Sequence, residues 1–280
     1  MSPSVIFRKN LFGCIGLLIS ISASAKMPAV ILCDSVMTVV NAPEGDISPY
    51  AFADRSDFHT VIIEEGIASI GEYAFLGCSE MREIKLPSSL RTIGEGAFRE
   101  CESLGNLEIP EGVSIIPSYM CEWDTSLKWV SLPESVKDIK NHAFAYCDKL
   151  FEINFPRQLE HIGSNAFSNC GSLEKVELPD SIIELESYAF SGCGNLHEAV
   201  LPANDKMLGE LIFTGCENLR KINCLSPVPP TFDCDSPLFD PSETFLFQDC
   251  ELIIPATSLS LYSTAPGWKF FFLSSSDKTQ

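Results

Sequence analysis

The sequence predicts a repeat solenoid, one coil of 23 residues stacked many times, with a parallel β-sheet on one face and short strands and helical or 3₁₀ turns on the other. Phenylalanine recurs at Phe52, Phe75, Phe98, Phe144, Phe167, Phe190 and Phe213, with Cys121 in the slot between the third and fourth. A cysteine column (Cys78, Cys101, Cys147, Cys170, Cys193, Cys216) and a proline column (Pro87, Pro110, Pro133, Pro156, Pro179, Pro202) keep the same step. So does an apolar column: Phe58, Met81, Leu104, Leu127, Leu150, Leu173, Leu196 and Leu219. Four registers in phase, without insertion or deletion, make the 280 residues one array growing along one axis, free of the usual limit on domain size.

The coil from Leu173 to Asn195 shows the logic of the unit. Leu173, Val176 and Leu178 are spaced to enter a core from an extended stretch, and Glu177 faces out. Pro179 has no amide hydrogen to donate and a fixed φ, so it ends the strand and turns the chain. Ile182 and Leu185 point inward again, and Ser187-Tyr188-Ala189-Phe190 is expected to return the chain in one tight helical or 3₁₀ turn. One coil cannot bury these residues alone, so each covers the apolar edge of its neighbour.

Residues 1–25 are expected to be an export signal, with Arg8-Lys9, the apolar stretch Leu11 to Ile21 and a small-x-small site at Ala23-Ser24-Ala25, so that the exported chain starts at Lys26. Leu11-Phe12-Gly13-Cys14 vaguely resembles a lipidation box, the other route to the cell surface, but Cys14 follows the basic residues too soon for an apolar region to precede it. An N-terminal cap and degenerate half repeat are expected over 26–57, the solenoid over 58–224 and a C-terminal capping segment over 225–280. No later segment reaches the roughly 18 apolar residues of a membrane span.

Lys and Arg number 19 against 38 Asp and Glu, and removal of the leader, which carries two bases and no acid, moves the net charge from -19 to 17 - 38 = -21. Such a chain repels nucleic-acid phosphates and anionic lipid; the charge serves either solubility or a basic, cation-bearing partner.

The pattern Leu-x-x-Ile-x-Leu-Pro followed by x-x-Leu-x-x-Ile-x-x-x-Ala-Phe-x-x-Cys is similar to that of the BspA-like, treponemal-type leucine-rich repeat family of secreted and surface proteins. Residues 81–87 and 104–110 carry the strand half, and Ala74-Phe75, Ala97-Phe98, Ala143-Phe144, Ala166-Phe167 and Ala189-Phe190 carry the return half. Pro229-Pro230, residues 250–255, Tyr262 and Trp268 resemble the family's closing segment. The resemblance implies a non-catalytic adhesin-like module that contacts a host extracellular or bacterial surface protein.

Twelve cysteines in an exported chain suggest disulfides, but six share one inward column whose parallel Cβ vectors suit the S–S torsion poorly. They read as buried thiols filling space, with a weak hydrogen bond to the turn. No Cys-x-x-Cys pair occurs, and His59, His142, His161 and His197 fall on different coils, so neither a metal nor another cofactor is expected. No nucleophile elbow, zinc-binding helix motif or phosphate loop is present, and the acidic residues fall in columns expected to face water. No enzyme is expected.

The outward strand columns read Thr60, Glu83, Asn106, Trp129, Glu152, Lys175, Glu198, Lys221 and Ile62, Lys85, Glu108, Ser131, Asn154, Glu177, Val200, Asn223. Trp129 interrupts a polar row, and Phe151 stands in the column beside it. A partner site is expected at Trp129 and Phe151 with Lys128, Glu152 and Lys175 as charged neighbours. The coil from Leu104 to Ser126 is the least regular: Cys121 replaces Phe, Met120 replaces Ala and Asp124 replaces Cys, with Trp123 and Tyr146 at outward corners. These departures mark either a binding site or a drifted repeat whose aromatics pack on one another. Alternatives to protein binding are glycan binding and a purely structural envelope role.

Overall fold

The structure is a computed structural model and describes residues 4–9, 15–20, 28–204, 208–232, 238–240 and 242–273. It is a β-solenoid of about eight turns with about 23 residues per coil. Each coil has three sides. The first carries the strands Thr60–Ile63, Glu83–Lys85, Asn106–Glu108, Trp129–Ser131, Glu152–Ile153, Lys175–Glu177, Glu198–Leu201 and Lys221–Cys224. The second carries two-residue strands from Asp46–Ile47 and Ser69–Ile70 through to Glu184–Leu185.

The third side is a stitched turn. Within one coil Ala74, Leu76 and Cys78 donate their N–H groups to Gly71, Tyr73 and Phe75, the i to i-3 bonding of a 3₁₀ segment. The intervening Tyr73, Phe75 and Gly77 donate instead to Glu95, Ala97 and Arg99 of the next coil. Alternate residues thus close the turn and bind the neighbour, and no continuous helix forms. The alternation requires left-handed backbone twice per coil, as at Tyr73 (φ 53°) and Gly77 (φ 68°). At Gly96 (φ 58°) a Cβ would lie 2.2 Å from the Tyr73 ring, so glycine there both accepts the backbone and leaves room for the ring.

Inside, the phenylalanines line up one above another. Phe52–Phe75, Phe75–Phe98, Phe144–Phe167, Phe167–Phe190 and Phe190–Phe213 have centroids 5.1, 5.8, 5.3, 5.2 and 5.9 Å apart, and all of these rings are buried. The carbonyls of Phe75, Phe144 and Phe167 each accept their own coil's cysteine N–H and then take the thiol of the next coil as well. Cys101 Sγ donates to Phe75 O, Cys170 Sγ to Phe144 O and Cys193 Sγ to Phe167 O, each at 3.2 Å. The nine buried cysteines among the described residues are free thiols, and burial pushes those of Cys101, Cys147, Cys170 and Cys216 well above their ordinary pKa.

Both sheets are less continuous than an unbroken ribbon. The strand-side ladder stops between Glu83–Lys85 and Asn106–Glu108, and the second-side ladder stops at the same junction, between Thr92–Ile93 and Ile115–Ile116. There the coils are held along the turn, where Phe98 N–H donates to Met120 O, Glu100 N–H to Glu122 O and Cys101 N–H to Asp124 Oδ1. A second strand-side gap follows Glu152–Ile153. The Asn154 side chain occupies both the N–H and the C=O of Leu132, replacing main-chain pairing and leaving that strand two residues long.

The ends are covered. Ala29–Cys33 and Val36–Asn41 form a hairpin through Asp34 and Ser35, both at positive φ, and Val36–Asn41 then pairs parallel with Thr60–Ile63. Ser4–Lys9 and Ile15–Ser20 pair antiparallel, and the second lies against Ala29–Cys33. The expected cleavage site at Ala23 to Ala25 and Cys14 lie outside the described residues. At the other end Glu251–Ile253 pairs with Lys221–Cys224. Tyr262 and Trp268 are fully buried over it, Tyr262 Oη donating to Ser226 O at 3.0 Å and Trp268 Nε1 to Pro230 O at 2.8 Å.

Phe167 touches a ring above, a ring below and the edge of Phe155 at 5.6 Å. Phe167→Ala is therefore expected to lower unfolding free energy by about 3–5 kcal/mol, measured by urea titration. Phe52→Ala, at the end of the stack with Phe75 as its one ring neighbour among the described residues, is expected to cost less.

Candidate functional site

The strand side places Trp129 half-buried in the middle of the array, paired with Asn106 on one flank and Glu152 on the other. Its ring lines a shallow depression with Glu83, Ile84, Lys85, Leu86, Asn106 and Glu108. The depression opens over the gap in the strand ladder, on the side of Trp129 away from Phe151. Phe151 is exposed (48%) and donates its N–H to Lys128 O, which ties these two neighbours at the corner that leads into the strands. Lys128 and Glu152 are exposed, and neither forms an ion pair among the described residues. Lys175 is occupied elsewhere: its ammonium binds Glu177 and lies 3.5 Å from Glu198, which also binds Lys221 at 3.1 Å. Charge on this side is thus neutralised locally beyond Lys175, and left open around Trp129 at Glu108 and Glu152.

Trp123 and Tyr146 lie on the turn side, six residues before the strand residues Trp129 and Glu152 in their coils, and form a separate cluster. Their rings stack in parallel, centroids 3.9 Å apart and 3° between planes, with Trp123 still 42% exposed. Tyr119 and His142 form a second stack at 5.1 Å on the same two coils. All four sit at positive φ (70°, 61°, 59° and 56° in that order), and other coils put Gly77, Gly192 and Gly215 at the Trp123 position. Holding non-glycine residues there costs about 1–3 kcal/mol each, so the aromatic ridge is retained against backbone preference.

Beneath the ridge the irregular coil buries charge, which corrects the expectation that its acids face water. Glu122 and Asp124 are 6% and 0% exposed. Arg99 Nε lies 2.9 Å from Glu122 Oε2, an ion pair not aligned as a hydrogen bond, and His142 Nδ1 lies 3.6 Å from Glu122 Oε1. The Arg99 guanidinium also rests 5.7 Å from the Tyr119 ring centre. Asp124 stands where other coils have the donating thiol. Its Oδ1 accepts Cys101 N–H at 2.7 Å, and its Oδ2 finds no donor. Burial in this apolar column pushes its carboxyl well above the usual carboxylate range and so favours the neutral form. The substitution of Cys by Asp was legible in the repeat alignment; the burial of Glu122 was not, because its column holds Leu76, Arg99 and Ser168 in other coils.

No group of three or more His, Cys, Asp or Glu is placed to hold a metal among the described residues, and no helix among them is long and apolar enough to cross a membrane.

Fold and surface define the class: a leucine-rich repeat solenoid with outward-facing aromatic clusters on two of its three sides. The profile of the BspA type leucine rich repeat region matches residues 45–128 and 114–230, with 6 copies, and the chain belongs to that family. Among solved structures it is similar to the T. pallidum leucine rich repeat protein TpLRR, 28% identical over 75% of this chain and 85% of that one, with a TM-score of 0.49. A leucine-rich repeat protein from Bacteroides ovatus ATCC 8483 is 20% identical over 93% of this chain and 80% of that one, TM-score 0.47. The pneumococcal vaccine antigen PcpA is 18% identical over 82% of this chain and 76% of that one, TM-score 0.39. No curated protein matches the chain.

The raised pKa of Asp124 has a consequence for stability. The folded state binds its proton more tightly than the unfolded state, so the stabilisation is complete below the ordinary carboxyl value of about 3.9 and is lost as pH rises toward the folded pKa. Asp124→Cys, which restores the thiol, is expected to melt increasingly above the unsubstituted chain as pH is raised from about 4 to 8. A melting difference that stays constant with pH would contradict a raised carboxyl pKa.

Proposed function

We propose that this chain is an exported, non-catalytic module that binds a protein at the cell surface or outside the cell, with the strand side around Trp129 and Phe151 as its contact face. The observation that carries this reading is the Trp129 depression. In a row of strand residues whose charges elsewhere are matched within the chain, a large aromatic lines a hollow flanked by Glu83, Asn106 and Glu108, over a gap in the ladder. A rigid array supports such a face well, because the turn-side bonds from Phe98 and Glu100 hold the coils together where the strand ladder lapses. Membership in the BspA type repeat family and the export signal expected at residues 1–25 support display outside the cell.

The partner would be a host extracellular or bacterial surface protein, and glycan binding or a purely structural envelope role would appear as the other outcomes of the same experiment. Capture from surface-protein and glycan arrays is expected to give a protein ligand. Trp129→Ala with Phe151→Ala is expected to weaken that ligand by at least about tenfold, as hot-spot aromatics do, with the melting temperature little changed. Unchanged affinity in the double variant would remove the face from consideration. Sequencing the amino terminus of the protein from culture fractions is expected to find Lys26; a lipidated Cys14 would instead identify an anchor.

A further inference from the structure

We propose that the step between Trp123 and Glu100 on the turn side is a receptor for a Lys or Arg side chain of a protein partner. This inference rests on the reading of the chain as a protein-binding scaffold and specifies the chemistry of what it takes.

One face of the Trp123 indole is covered by Tyr146 at 3.9 Å with the planes 3° apart, so the opposite face is directed along the array toward the preceding coil. That coil places Glu100 in the same column, 23 residues earlier, with its side chain 48% exposed. The Glu100 N–H donates to Glu122 O, the carbonyl immediately before Trp123, which fixes the two coils against each other at this point. A partly exposed indole one coil from an exposed carboxylate in the same column is a fitted environment for an ammonium or guanidinium group.

The chain uses the same arrangement internally on its own cations. Arg55 lies 5.8 and 5.3 Å from the centres of the Phe52 and Phe58 rings, and its Nη2 is 2.7 Å from Asp57. Arg99 lies 5.7 Å from the Tyr119 ring centre with its Nε 2.9 Å from Glu122. Trp123 and Glu100 repeat the ring and the carboxylate, and among the described residues no basic side chain lies over the Trp123 ring.

The electrostatics agree. The Arg99 Nε sits 3.5 Å from Glu100 but is engaged at 2.9 Å by Glu122, so one guanidinium faces two carboxylates. Glu102, two residues beyond Glu100, is exposed and forms no ion pair among the described residues. The whole chain carries -19, so the long-range field draws a cation in and opposes an anionic ligand at the ring.

The test is fluorescence anisotropy of labelled hexa-arginine with the purified chain at about 150 mM salt, where long-range attraction is screened beyond roughly 8 Å. Trp123→Ala and Glu100→Gln are each expected to weaken binding by about fivefold, the equivalent of a cation–π or short-range charge contact of about 1 kcal/mol. Trp123→Phe is expected to retain part of the affinity. Glu217→Gln, an exposed acid on a distant coil, removes the same charge and is expected to change affinity by less than about twofold. Equal losses in Glu217→Gln and Glu100→Gln, or undiminished binding in Trp123→Ala at unchanged melting temperature, would overturn the proposal in favour of diffuse charge attraction. A Trp129→Ala, Phe151→Ala chain that loses its protein ligand, while Trp123→Ala leaves hexa-arginine binding intact, would overturn the cation receptor alone and leave the scaffold reading standing.

Discussion

The alternation of hydrogen bonds on the turn side is the constraint from which the rest of the structure follows. Odd positions of the turn bind the next coil and even positions close their own, as with Phe75 donating to Ala97 and Leu76 to Tyr73. This satisfies the backbone without a helix and sets the offset between coils residue by residue. Once that offset is set, Phe75 must lie over Phe98, and Cys101 must meet the Phe75 carbonyl. Core and ladder are therefore one arrangement, and a slip of a single residue would put alternating inward and outward side chains on the wrong sides of the coil.

The irregular coil shows how much departure this arrangement absorbs. Both sheets lapse at the junction before it, while the turn-side bonds from Phe98 and Glu100 persist. Asp124 takes over the backbone contact at Cys101 in a column otherwise built from thiols. The two proposed contacts, Trp129 on the strands and Trp123 on the turns, both belong to the stretch around this coil. The most altered part of the core thus lies under the most distinctive part of the surface.

Much of this was legible in the sequence because periodicity is a direct record of stacking. The columns through Phe52 and Cys78 placed the core, and the strand columns placed Trp129 and Glu152 side by side. What could not be read were properties that arise between columns. The strand-side hollow needs Trp129, Leu86 and Glu108 from three coils, and the shortness of the Glu152–Ile153 strand goes with the Asn154 amide turning back to Leu132. Lys175 stood near Glu152 by register, yet its ammonium went to Glu177 and Glu198, because the ladder is interrupted between those strands. A repeat pattern specifies where a side chain starts, and only packing decides which neighbour it chooses.

The thiol that reaches back to a phenylalanine carbonyl has a consequence for how such a chain can change over generations. Disulfides join cysteines in pairs, so gain or loss of one coil would strand a partner. A donor that serves only the coil before it imposes no such parity: Cys170 needs Phe144 and Cys193 needs Phe167, whatever the total number of coils. Duplication or deletion of one 23-residue unit therefore leaves every remaining link intact, and the length of the array can drift freely while its cross-section stays the same.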